Sequence, residues 1–207
     1  MSPPSDVEVV TARLDPPPEA VCALSQRLCN EERARAARLR FDRDRRRFVV
    51  ARARLRQLLG ERLGAAPETI AFAYGANGKP VLAGRFAVSG WRFNLSRREE
   101  LAVYAFSRAG EVGVDVEAIG PVREGPAIAA HLFTRRERKT YLALAPHERP
   151  LGFLRLWTRK EALAKALGDG LSLPPEALDC LRAEKAGWRL QSFSPRPGFI
   201  AALAHRQ

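Results

Sequence analysis

Apolar and polar positions alternate through VEVVTARLD (7–15), which predicts a first strand, ended by the three prolines at 16–18. Residues 19–39 change to helical spacing, with Val21, Leu24, Leu28 and Leu39 on one face. A second helix is predicted over DRRRFVVARARLRQLLGERLG, its stripe drawn by Phe48, Leu55, Leu58, Leu59 and Leu63, its stop by Gly64, and its other faces by arginine. IAFAYGANGKPVL reads as strand, Asn-Gly turn, strand. WRFNLS alternates, LAVYAFS has the apolar run of a buried strand, and EVGVDVEAI returns after the RAGE turn, so 91–119 is predicted to be a three-stranded meander. Beyond the loop GPVREGP come two helices, AIAAHLFTRRERKTYLAL and LGFLRLWTRKEALAKALG, and then a hairpin of GWRLQSF with GFIAALAH. This order predicts an α+β protein of two α/β halves, 1–110 and 111–207.

Two acids interrupt the sixth predicted strand. In GVDVEAIG, Asp115 and Glu117 stand at i and i+2, so they share one face while Val114 and Val116 point the other way. A solvated sheet face is the ordinary explanation of such a pair. A third acid lies in WTRKEALAKALGDGL: Glu161 sits at the edge of the stripe of Leu156, Leu163, Ala164 and Leu167, with Lys165 one turn later. Alone, Glu161 and Lys165 read as a surface ion pair. Together, Asp115, Glu117 and Glu161 form a hard-oxygen set suited to Mg²⁺, which takes a few carboxylates and completes its shell with water and substrate phosphate.

Charge adds to this picture. The 207-residue chain carries a formal charge of +12, and residues 27–62 hold thirteen Arg against five Asp or Glu. An acidic partner is implied: nucleic acid, a phosphate-rich small molecule or an acidic protein. The arginine-rich helix favours the last two over nucleic acid, because Phe48 and its leucines belong to the apolar face and leave no stacking groups. No apolar run approaches the roughly 18 residues of a membrane span. The start, MSPPSDVEVV, lacks a basic and then apolar leader, which points to the cytoplasm. Cys22 and Cys29 fall seven apart on one predicted helix face and Cys180 is alone, a pattern of reduced core thiols without zinc spacing.

FNLSRREELAVYAFS, GVDVEAI, FTRRE and WTRKEALAKALGDGL, in this order and at these separations, resemble the 4'-phosphopantetheinyl transferase superfamily, in its longer, pseudo-dimeric type. The resemblance implies two similar α/β halves related by a pseudo-two-fold, with the site in the cleft between them. It implies Mg²⁺-dependent transfer of the 4'-phosphopantetheine group of coenzyme A to a serine of an acyl or peptidyl carrier protein, with release of adenosine 3',5'-bisphosphate, by a monomer. Asp115, Glu117 and Glu161 match the metal ligands, and Lys165 a lysine on the phosphates. Glu137 matches a glutamate that activates the carrier serine. Arg47, Lys79 and Ser96 match residues that hold the cofactor, with Arg38 and Arg40 placed for further basic contacts. Where the family usually has Ser-His, this chain has Ser96-Arg97, and Arg97 takes over the phosphate contact. A family-like protein that binds coenzyme A without turnover is the alternative, against which the intact acids and Lys165 argue.

Overall fold

The computed structural model describes residues 6–75, 77–168, 174–181, 184, 185 and 187–206. Helices and sheets are mixed, in two antiparallel sheets. β1 (Val7–Arg13), β5 (Leu101–Ser107) and β4 (Arg92–Arg98) form the first, in the order β1-β5-β4. β6 (Val112–Ala118), β9 (Phe199–Arg206), β8 (Trp188–Phe193) and β7 (Glu184–Lys185) form the second, in the order β6-β9-β8-β7. A short hairpin, β2 (Phe72–Tyr74) with β3 (Pro80–Leu82), stands apart from both.

Each sheet is covered by one long helix whose apolar stripe was legible as a 3.6-residue period. On the first lies α3 (Asp42–Leu63), which buries Val50, Leu55, Leu58 and Leu59 against Phe93, Tyr104 and Phe106 and ends on Gly64 at φ 60°. Tyr104 on β5 donates its hydroxyl to the carbonyl of Ala51, fixing α3 over the sheet. On the second lies α6 (Arg149–Leu167), which buries Ala162, Leu163 and Ala166 against Leu190, Ile200, Ala202 and Ala204. A third apolar layer joins the sheets: Leu101, Val103 and Ala105 of β5 meet Val112, Val114 and Val116 of β6 and Ala201 and Leu203 of β9. The valines of β6 thus fill the core between the sheets, and Gly113, Asp115 and Glu117 face α6.

Three expectations change. The meander is a hairpin of β4 and β5; β1 takes the other side of β5, and β6 pairs with β9 instead. With both edges of β5 filled, β6 has no backbone partner there, and the amide of Val114 donates to the side chain of Asn94 on β4. The helix expected over 19–39 is two helices, α1 (Pro18–Ser25) and α2 (Asn30–Ala37). The chain breaks where Glu32 turns back to accept from the amide of Cys29 and runs into Arg52 and Arg56, at 2.6 and 2.7 Å, all three buried. Consequently Cys22 and Cys29 are not on one helix, and Cys22 is exposed rather than a core thiol. The helix expected over 127–144 likewise divides into α4 (Gly125–Leu132) and α5 (Arg135–Leu142), because Thr134 caps the second.

Among the described residues no helix is long and apolar enough to cross a membrane.

Candidate active site

β6 is the strand on which the site is built. Alternation sends Asp115 and Glu117 toward α6, where Trp157, Glu161 and Lys165 succeed one another at four-residue intervals on one face. The close approach of the two elements depends on Gly113, since a Cβ there would lie 2.0 Å from the carbonyl of Ala162. β4 closes the third side with Asn94, Ser96 and Arg98, which alternation places together.

These side chains are engaged with one another. Lys165 Nζ reaches Asp115 Oδ1 at 2.5 Å and donates to Ser96 Oγ at 3.1 Å. The Ser96 hydroxyl donates to the same Asp115 oxygen at 2.9 Å. Asp115 Oδ2 is buried and has no hydrogen-bond partner among the described residues. Arg98 stands 3.1 Å from Glu117, whose carboxylate also accepts from the Trp157 indole.

Burial pushes the Glu117 carboxyl up against the pull of Arg98, and Asp115 adds to the rise. Burial likewise pushes Glu161 up; Lys165 opposes this, and the charges of Asp115 and Glu117 reinforce it. The structure therefore brings the three acids into one another's fields, and the cost of holding them there falls on Glu117 and Glu161. Among the described residues no three acid, thiol or imidazole groups stand at metal-holding separations; Lys165 is paired with Asp115 and Arg98 with Glu117. The fit to a hard cation rests on the chemistry of the donors and on the unpartnered oxygen of Asp115.

The basic candidates fall into separate groups. Lys79 follows the loop of the β2–β3 hairpin, where Gly75 N bonds the Lys79 carbonyl and Gly78 has φ 72°; the Ala76 position of the expected Asn-Gly turn lies outside the described residues. Its ammonium is 3.1 Å from Glu111 and 3.5 Å from the carbonyl of Ala166 on α6. Glu111 also receives Arg92, at 2.9 Å. The three line the mouth of a 280 Å³ cavity walled by Val81, Leu82 and Phe93.

Arg97 lies over the Phe48 ring at 5.5 Å, and Arg35 lies over the same ring at 5.6 Å. Burial lowers the Arg97 pKa, as does the charge of Arg35. Neither arginine has an ion pair among the described residues, so two cations share one aromatic ring with no anion between them. Arg47, by contrast, is committed: its guanidinium holds both oxygens of Asp15, at 2.8 and 2.6 Å. Arg38 and Arg40 are exposed, and Arg40 lies over the exposed ring of Phe41.

Glu137 is not brought to the acids. It is fully buried, and Thr134, Lys160 and Cys180 surround its carboxylate. The resemblance implies that it takes a proton from an incoming serine; here both of its oxygens are bonded and neither is open to solvent.

Four site residues escaped the sequence reading: Arg98, Trp157, Arg35 and Glu111. Period two could have found Arg98, which shares a strand face with Ser96, and helical spacing could have found Trp157, four residues before Glu161. Nothing local marks Arg35 or Glu111 among so many charges.

Two family models match the chain: 4'-phosphopantetheinyl transferase, N-terminal, over residues 13–109, and the 4'-phosphopantetheinyl transferase superfamily over 111–205. The chain is similar to the 4'-phosphopantetheinyl transferase HetI of Nostoc sp. (strain PCC 7120), 36% identical over 92% of this chain and 84% of that one. It is similar also to the 4'-phosphopantetheinyl transferase psf-1 of Bacillus pumilus, 34% identical over 69% of this chain and 58% of that one. A third relative is the 4'-phosphopantetheinyl transferase AcpT of Escherichia coli (strain K12), 37% identical over 55% of each chain.

Proposed function

This chain belongs to the 4'-phosphopantetheinyl transferase superfamily and is an enzyme of its longer type, from which we propose that it transfers phosphopantetheine from coenzyme A to a carrier-protein serine, dependent on Mg²⁺. The single observation that carries this proposal is the buried Asp115, with one oxygen unpartnered, in the fields of Glu117 and Glu161 and beside Lys165. Asp115, Glu117 and Glu161 would hold the metal. When bound it offsets the charge that builds on the pyrophosphate. The serine oxygen forms a bond to the phosphorus bearing the pantetheine arm, the bond from that phosphorus to the bridging oxygen breaks, adenosine 3',5'-bisphosphate leaves, and the serine hydroxyl proton is released to solvent.

Lys165 neutralises Asp115 before substrates arrive and is placed to turn to a phosphate when a cation takes over that carboxylate. Ser96, between them, orients both. Lys79 supplies a second cation at the same C-terminal end of α6, beside the Ala166 carbonyl. Arg97 and Arg35, sharing the Phe48 ring without an anion, grip a terminal phosphate of the cofactor. Arg47 serves that phosphate by packing with Asp15 rather than by contact. A pseudo-two-fold between two halves, 1–110 and 111–207, with the site in the cleft between them, fits a long helix on an antiparallel sheet in each. The enzyme works in the cytoplasm as a monomer.

The deciding experiment incubates the protein with coenzyme A, Mg²⁺ and apo-carriers from fatty-acid, polyketide and nonribosomal-peptide systems and weighs the intact carriers. A gain of one phosphopantetheine on at least one carrier, abolished by excess chelator, is expected; no gain on any carrier overturns the proposal.

A prediction follows for Arg97. An unperturbed histidine, near pKa 6.5, loses its charge across neutral pH, whereas arginine keeps its charge even with burial and Arg35 lowering its pKa. Arg97→Ala should raise the KM for coenzyme A about tenfold with little change in kcat, since contact with a non-reacting phosphate is alike in ground and transition states. Arg97→His should add a loss of affinity as pH rises through about 6 to 8. KM measured across that range for both variants, with carrier saturating, checks the pair of effects.

A further inference from the structure

A fully buried and fully bonded ion pair joins α5 to α6 beside the site. Glu137 and Lys160 are 0% and 1% exposed and stand 3.0 Å apart. The amide of Thr134 donates to Glu137 Oε2 at 2.7 Å, and the amide and thiol of Cys180 donate to Oε1 at 2.8 and 3.0 Å. Burial and the Glu137 charge push the Cys180 thiol up, so it stays a donor. Lys160 also donates to the carbonyl of Leu178 at 2.8 Å, and Arg159 Nε donates to that of Cys180 at 2.7 Å.

Apart from the Thr134 amide, which belongs to the same capping turn as Glu137, each bond crosses between segments. The start of α5, the middle of α6 and residues 178–181 meet at this one ion pair, and Lys160 immediately precedes Glu161. An α-helix advances 100° per residue, so a helix anchored through Lys160 on its inner side presents Trp157, Glu161 and Lys165 on an adjoining face. A carboxylate with donors on both oxygens and no exposure cannot receive a proton from another protein's serine without breaking this junction.

We propose that Glu137 and Lys160 are positioning residues: the pair sets the rotation of α6 that turns Glu161 toward β6, and Glu137 takes no proton in the reaction. This rests on the reading of Glu161 as a metal ligand. Loss of one member leaves the other's charge buried and unpaired, and the helix then rotates or shifts to hydrate it. Loss of both charges with shape retained leaves the rotation in place. A proton acceptor behaves otherwise, since removing its partner cannot restore it.

The experiment compares wild type, Glu137→Gln, the double variant Glu137→Gln/Lys160→Met, and Glu161→Ala. Mn²⁺ binding in the presence of coenzyme A is followed by electron paramagnetic resonance, alongside kcat and the unfolding midpoint. Glu137→Gln is expected to weaken Mn²⁺ binding about tenfold, the usual cost of losing a group that orients a ligand. The double variant should return both Mn²⁺ affinity and kcat to within about threefold of wild type, and it keeps the test open if the single variant does not fold. A folded double variant that binds Mn²⁺ normally but does not turn over makes Glu137 the proton acceptor and overturns the proposal. Unchanged Mn²⁺ affinity in Glu161→Ala overturns it at its root, by removing Glu161 from the metal.

Discussion

Glu161→Gln is expected to lower the transfer rate at least about a hundredfold and, at neutral pH without metal, to raise the unfolding midpoint of the protein. The two effects have one cause. Burial, with Asp115 and Glu117 nearby, holds the Glu161 carboxyl above its ordinary range. Between the unfolded pKa and the raised folded one, the native state binds more protons than the unfolded state, so stability falls as pH rises through that window. Above it the cost of the charge is fully present, and an uncharged amide of the same shape removes it. A divalent cation removes the same cost, so added Mg²⁺ should raise the midpoint of the wild type and leave that of Glu161→Gln nearly unchanged. Because the carboxylates must be ionised to bind metal, the Mg²⁺ needed for half-maximal activity should increase as pH falls toward the raised range of Glu117 and Glu161. Calorimetric scans with and without Mg²⁺ test the stability effects, and Mg²⁺ titrations of the transfer rate at two pH values test the loss of activity and the shift in metal requirement. A variant with full activity would remove Glu161 from the site.

Gly113→Ala should be the most disruptive single-methyl change in the protein. An added Cβ would meet the Ala162 carbonyl at 2.0 Å, the Ala166 nitrogen at 2.5 Å and the Ala166 Cα at 3.0 Å, all backbone of α6. Backbone cannot change rotamer, so β6 or α6 must move. Overpacking of this kind costs roughly 1–3 kcal/mol and occasionally more, which the ~0.4–1 kcal/mol gained from a less flexible unfolded chain does not offset. The movement separates Asp115 from Lys165 and Glu161, so activity should fall further than stability alone explains. Gly120, at the end of the same segment, has nothing within 4 Å of an added Cβ, and Gly120→Ala should leave both properties nearly unchanged. Denaturant unfolding and turnover of the two variants make the comparison.

How far the sequence disclosed this arrangement depended on the range of the force involved. The shared face of Asp115 and Glu117 and the stripe of α6 are consequences of local geometry, and both were legible. So was the C-terminal end of α3, where Gly64 adopts the left-handed conformation. The destination of β6 was not. Its valines suit the core between the sheets as well as they suit a meander, and the choice falls to β9, some ninety residues on, and to β1, which fills the other side of β5. The breaks at Cys29 and Thr134 were missed for a related reason: Glu32 and Glu137 cap these turns while their carboxylates meet buried cations from other helices. Glu137 was matched by its place in FTRRE to a proton-accepting role, and the packing that buries its carboxylate against Lys160 and Cys180 was not legible there. Sequence locates such an acid; only packing shows whether a proton can reach it.

The placement of β9 inside the second sheet, with β6 on one side and β8 on the other, has a consequence for how the protein is made. The first sheet can close once β5 has left the ribosome. β6 follows directly, but its partner β9 does not begin until Phe199. At about 5–20 residues per second, β6 waits several seconds with its ladder groups unpaired, and the apolar face of β5 stays uncovered for as long. The strand that carries Asp115 and Glu117 is thus both the foundation of the site and an open edge during synthesis. Its two acids put like charges side by side along that open edge, and like charges on an exposed edge disfavour pairing with another copy of the same strand.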